Sequence, residues 1–98
     1  MSELFHALAA PARRRILDAL TERDGQTLFE LCTRLADQHD LDLSRQAISQ
    51  HLAVLEACGL VSTRREGRYK FHHLDTAPLR AIVERWRVTT EPEGDPNE

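Results

Sequence analysis

Apolar residues recur at helical spacing from Leu4 to Leu60 and then alternate as in a strand. In "SELFHALAA", Leu4, Phe5 and Leu8 share one stripe, and Ser2 stands in the cap position. Pro11 opens a second helix, "PARRRILDALTERDG", since proline suits a first helical turn and Gly25 suits an end. Ile16, Leu17 and Leu20 form its apolar stripe. A third helix starts at Thr27, where Glu30 three residues on makes a capping box, and Leu28, Leu31, Cys32, Leu35 and Ala36 follow. "DQHDLDL" is a polar linker, Ser44 caps a fourth helix, and Gly59 ends it.

Beyond Gly59 the period becomes two. In "LVSTRREGRYKFHHL", Leu60, Val61 and Thr63 precede a turn at "REGR", and Tyr69 and Phe71 follow it. The pattern predicts a two-stranded hairpin with Gly67 at its tip. "APLRAIVERWRV" is a last helix with Leu79, Ile82, Val83 and Trp86 on one face. "TTEPEGDPNE" is acidic and rich in Pro and Gly. The expected organisation is one domain over residues 1–88 and a disordered acidic tail over 89–98.

A chain of 98 residues, 41% hydrophobic and 30% charged, suits one globular domain with a modest core. A monomer of this size is marginal, so dimerisation is expected. No stretch has the length of a membrane span, and the opening residues lack the basic region of a signal peptide. Two cysteines, Cys32 and Cys58, suit a reducing compartment, and a cytoplasmic protein is expected. The net charge of −3 hides an asymmetry: residues 1–43 and 74–98 each carry −3, while residues 44–73 carry +3. The positive segment holds the fourth helix and the hairpin, the electrostatic footprint of a nucleic-acid contact.

The fourth helix carries that footprint further. Ile48, Leu52 and Leu55 fall on one side, flanked by Ala47 and Val54. Gln46, Ser49, Gln50 and Ala53 fall on the other, bordered by Arg45 and Glu56. A solvated helix face more often shows paired Lys and Glu. Short or planar polar groups suit close approach to base edges: Gln pairs bidentately with adenine, Arg with guanine. Arg45, Gln46, Ser49 and Gln50 are therefore candidates for base reading. Arg64, Arg65, Arg68 and Lys70 of the hairpin are candidates for phosphate contact, which gives affinity and register without sequence reading. His51 lies between the two faces of its helix, where a backbone phosphate or a core-edge hydrogen bond suits it.

The order helix, helix, helix, helix, hairpin, helix is that of a winged helix-turn-helix domain. The stretches "ALAAPARRRILDAL", "LFELCTRLA", "SRQAISQHLAVLEACGLV" and "REGRYKFHHL" resemble the ArsR/SmtB family of bacterial repressors over residues 4–86. The resemblance implies a homodimer held by the first and last helices, with the fourth helix in the major groove of double-stranded DNA and the wing beside the backbone. Leu4, Phe5, Leu8, Leu79, Ile82, Val83 and Trp86 are expected at the dimer interface, with burial in the chain's own core as the alternative. The linker "DQHDLDL" is about four residues longer than the family's tight turn, through either a longer third helix or a true loop.

The resemblance implies that arsenical sensors of the family carry a Cys-x-Cys pair on the third helix, because soft ions need converging thiolates, and that zinc-sensing relatives place His and carboxylates on the last helix. Here Cys32 is followed two positions on by Arg34, and the last helix has no His or Cys. His72 and His73, adjacent in a strand, point to opposite faces and suit the wing's flanks or a phosphate. His6 and His39 are isolated, with surface roles expected. No metal site and no cofactor is expected, and no catalytic constellation is present. Two alternatives remain: a thiol- or metal-responsive repressor using Cys32 and Cys58, and a winged helix that contacts only protein.

Overall fold

Side chains at the helix starts supply what the first turns lack. Thr27 Oγ1 accepts from the Glu30 N–H at 3.2 Å, and Glu30 Oε1 accepts from the Thr27 N–H at 2.8 Å, completing the capping box. Ser44 Oγ accepts from the Ala47 N–H at 3.0 Å. Pro11 is the first residue of its helix, where its missing N–H has no partner to lose. The computed structural model describes residues 2–88. Its order is α1 (Ser2–Ala9), α2 (Pro11–Glu22), α3 (Leu28–Gln38), α4 (Arg45–Ala57), β1 (Val61–Glu66), β2 (Tyr69–Leu74) and α5 (Ala77–Arg85). This is a winged helix-turn-helix in the expected element order. The tail 89–98, expected to be disordered, lies outside the described residues.

α2, α3 and α4 pack on one another and on the hairpin base. Ile16 and Leu20, Leu31 and Leu35, Ile48, Leu52 and Leu55, and Leu60 with Val61 bury almost completely there. The predicted stripes thus face one another. Leu55 is fully buried in the α4 stripe. Leu55→Ala is expected to destabilise the fold by about 2–5 kcal/mol, read as a lower denaturation midpoint at unchanged slope. For a domain whose total stability is only about 5–15 kcal/mol, that is a large share.

The hairpin pairs Val61 with Leu74 through Glu66 with Tyr69, leaving Gly67 and Arg68 as a two-residue loop. Gly67 takes the first loop position with φ 64°, which suits the twist of a tight hairpin and costs a residue with a Cβ. Gly25 has a stricter reason to be glycine. Its φ is 72°, and a Cβ there would stand 3.0 Å from His73 Cε1.

The long linker resolves as both expected options at once. α3 runs on to Gln38, and a real loop follows. That loop is pinned: Asp40 adopts φ 53°, the Leu41 N–H donates to the Leu35 carbonyl at 3.0 Å, and Leu41 packs on the core. His39 is not the surface residue the sequence suggests. Its side chain is nearly buried and its Nε2 lies 3.0 Å from Glu22 Oε1, which also takes Arg34 at 3.2 Å.

Beyond β2 the sheet gains one residue of a third strand. Gln26 and His72 exchange backbone hydrogen bonds at 3.1 and 2.7 Å. The Gln26 side chain is buried and donates to the Ala19 and Arg23 carbonyls at 3.0 and 2.6 Å, closing the end of α2. His72 donates from Nδ1 to the Gln26 carbonyl at 2.9 Å and is only 4% exposed, so it does not stand on a wing flank or reach a phosphate. His73 points the other way and pairs with Asp24 at 3.1 Å.

Asp24 links these parts and carries a pH dependence. Burial pushes its carboxyl up, but the Leu74 N–H, the His73 side chain and the Gly25 N–H outweigh that and hold it below the usual 3.8. A depressed folded pKa contributes stability above the unfolded value that is lost as pH falls through the folded one. Wild type is therefore expected to lose stability below about pH 4. Asp24→Asn, which still accepts from the Leu74 N–H, should show a smaller loss between pH 4 and 2 in acid titrations followed by circular dichroism.

Candidate nucleic-acid interface

Burial of Ile48, Leu52 and Leu55 turns the opposite face of α4 outward, so Arg45, Gln46, Ser49, Gln50 and Ala53 are all exposed. The four residues expected to read bases thus stand together on one exposed face. Ser44 caps the helix, so Arg45 and Gln46 lie in its first turn, where backbone N–H groups also point outward.

Strand alternation sorts the wing's cations. Arg65 pairs with Lys70, and they share a sheet face with Thr63 and His72 and with buried Val61, the face turned to the helices. Arg64 lies on the other face beside Phe71, and Arg68 sits in the loop. All four are exposed, and among the described residues none of them, nor Arg45, is held in an ion pair. Two like charges directly opposite, as in Arg65 and Lys70, work against the hairpin. Free cations set so close suit an anionic partner.

His51 is tied inward. Arg13 is nearly buried; its Nε donates to the Ala7 carbonyl at 2.8 Å, one terminal nitrogen to the His6 carbonyl at 3.0 Å, and the other to His51 Nδ1 at 3.2 Å. Since arginine only donates, His51 Nδ1 accepts and the ring proton sits on Nε2. Burial and then the Arg13 charge push the His51 pKa down, so the ring is neutral. Arg13 is not among the residues that the apolar pattern singles out, although its spacing from Ile16 and Leu20 places it on the buried stripe of α2.

The first and last helices leave an apolar face uncovered. Val83 and Trp86 are 65% and 59% exposed, and no residue of α5 is buried. The Phe5 and Trp86 rings lie 6.3 Å apart, joining α1 to the end of α5. Leu8, Leu79 and Ile82 are half-buried at the margin between this face and the core. Leu4 departs from the expected interface group: it is buried in the chain's own core, because it sits on the inward side of α1 with Ala7.

The thiols sit in packing surroundings. Burial pushes the Cys32 thiol up despite the Arg45 charge, which disfavours the reactive thiolate. Cys58 donates to the Leu55 carbonyl at 3.4 Å, and the two cysteines are not bonded to each other. No cluster of three His, Cys, Asp or Glu able to hold a metal occurs among the described residues. No described helix is long and apolar enough to cross a membrane.

Residues 8–64 match the helix-turn-helix domain family HTH_20. The HTH-type transcriptional regulator YuzN of Bacillus subtilis (strain 168) is 45% identical over 83 residues, covering 85% of this chain and 90% of that protein. The arsenical resistance operon repressor of Escherichia coli (strain K12) is 32% identical, covering 91% and 74%. The solved structure of an ArsR-like transcriptional regulator from Rhodococcus sp. RHA1 superimposes with a TM-score of 0.71 at 35% identity, covering 86% and 71%. With this architecture and these relatives, the chain belongs to the ArsR family of helix-turn-helix transcriptional regulators and is a DNA-binding regulator of transcription.

Proposed function

We propose that the protein is a homodimeric repressor that binds a pseudo-palindromic operator. The observation that carries this reading is the exposed face of α4, furnished with Arg45, Gln46, Ser49 and Gln50 and flanked by wing cations that form no ion pair among the described residues. In this reading the four α4 residues meet base edges in the major groove. Arg64, Arg65, Arg68 and Lys70 hold phosphates, and His51 reaches one through its Nε2–H. Phe5, Val83 and Trp86 close the dimer against a second copy, with Leu8, Leu79 and Ile82 at the margin. Two copies related by a two-fold axis place their recognition helices about 34 Å apart, one turn of DNA. The protein then works in the cytoplasm, in contact with the chromosome.

Fluorescence anisotropy on the DNA upstream of the protein's own gene, across a salt series, tests the proposal. Specific binding should exceed that to random DNA by at least about a thousandfold. Arg68→Ala should weaken binding to every sequence alike and make the log–log salt slope shallower by about 2 for the dimer, one phosphate per protomer. If neither this DNA nor pooled genomic fragments bind better than random sequence, the operator reading fails and a winged helix that contacts only protein takes its place.

A further inference from the structure

Between the N-terminus of α3, the start of α4 and the hairpin lies an open groove of about 700 Å³, within the range of small-molecule sites. Phe29, 66% exposed, lines it together with Tyr69 and Phe71, whose rings lie 6.3 Å apart. Leu52 and His72, both buried, form the floor. Arg45, Arg68 and Lys70 stand on the rim. The acid on this rim, Glu30, is engaged: its Oε1 takes both the backbone N–H and the hydroxyl of Thr27.

His72 defines what the floor asks for. Its Nδ1 must carry the proton, because its partner there is the Gln26 carbonyl. In the neutral ring Nε2 is then a bare acceptor, and among the described residues it has no partner. A buried acceptor without a partner costs free energy that a donor would recover. A DNA backbone does not fit this demand, since phosphodiesters and the sugars between them offer acceptors and no hydroxyl. Exposed aromatic walls also ask for apolar area that phosphates lack.

We infer that the groove is a site for a small aromatic acid that also carries a hydroxyl group: the ring against Phe29, Tyr69 and Phe71, the carboxylate toward Arg45, Arg68 and Lys70, and the O–H donated to His72 Nε2. Arg45, Ser49, Arg68 and Lys70 belong both to this groove and to the proposed DNA-contacting surface. Occupancy by such an acid therefore excludes DNA, which makes the site that of an effector. The exclusion rests on the proposed DNA reading; the binding of the acid does not.

The test uses 6-hydroxy-2-naphthoate and 2-naphthoate as probes, titrated into the full chain without DNA and followed by calorimetry and backbone NMR. The hydroxylated probe should saturate one site per protomer and bind about tenfold tighter than 2-naphthoate, the worth of one hydrogen bond. Shifts should centre on Thr27–Glu30, Arg45, Ser49 and residues 68–72, and leave the Trp86 indole unmoved. His72→Asn keeps a donor to the Gln26 carbonyl but is too short to place an acceptor where Nε2 stands, so the two probes should bind it equally. Phe29→Ala, on an exposed side chain, should weaken both probes in a protein of unchanged melting temperature. Absence of saturable binding below about 1 mM, shifts at Trp86 instead of the groove, or a hydroxyl preference that survives in His72→Asn would each overturn the site. If the probe binds as described and the operator complex forms with undiminished affinity in its presence, the effector role is overturned. A protein that binds the probe and no DNA would instead place the failure in the DNA reading.

Discussion

Gln46→Ala combined with Gln50→Ala is expected to reduce binding of the operator to the level of random DNA. A glutamine that pairs bidentately with adenine discriminates against the wrong base by about 1–3 kcal/mol. Two such residues on each of two recognition helices amount to about 4–12 kcal/mol, which is comparable with the whole margin of about 4–10 kcal/mol that separates specific from non-specific complexes. The operator Kd should therefore rise by about a thousandfold or more at fixed salt. Binding to random DNA and the salt slope should stay as in wild type, because the wing's cations are untouched. Both side chains are exposed on α4 and hold no part of the core, so the fold should melt as before. Retained discrimination between operator and random DNA would show that sequence is read elsewhere.

Trp86→Asp is the second large effect. Trp86 sits just past the last residue of α5, is 59% exposed, and touches Phe5 across the gap to α1. Buried aromatic anchors at an interface centre cost about 2–4 kcal/mol or more when truncated, and an unpaired carboxylate there adds a desolvation cost. The dimer dissociation constant should rise at least about a hundredfold. Analytical ultracentrifugation should find a monomer at micromolar concentration, with helical content unchanged because the core lies on the opposite side of α5. Operator affinity should fall with it, since a monomer holds one half-site. A variant that remains dimeric would remove the α1–α5 face from the assembly.

Wherever the signal was local, the sequence was a sufficient guide. The capping box of Thr27 and Glu30, the Ser44 cap and the Gly67 turn depend on residues three or fewer positions apart, and each forms as expected. The apolar stripe of α4 named its buried residues and, by exclusion, its exposed polar face. Arg45, Gln46, Ser49 and Gln50 stand together because a helix brings positions three and four apart onto one side.

Long-range pairs left no such trace. Arg13 and His51 are 38 positions apart, and Gln26 and His72 are 46 apart, so no period connects them. His39 looked like a surface residue because its partner, Glu22, belongs to another helix. Leu4 carried the same pattern as Phe5, and only the packing of α1 on α2 divided them between core and open face.

By itself, then, the sequence determined the elements, their order and the exposed polar face of α4, because these follow from short-range periodicity and capping, and its motifs carried the resemblance to the family. Only the tertiary structure decided which polar groups are buried and what they bind, which wing cations face the helices, and that α3, α4 and the hairpin enclose a groove over His72. Those outcomes depend on how separate elements approach in space, where burial makes every unpaired donor or acceptor costly. A linear pattern does not record that approach.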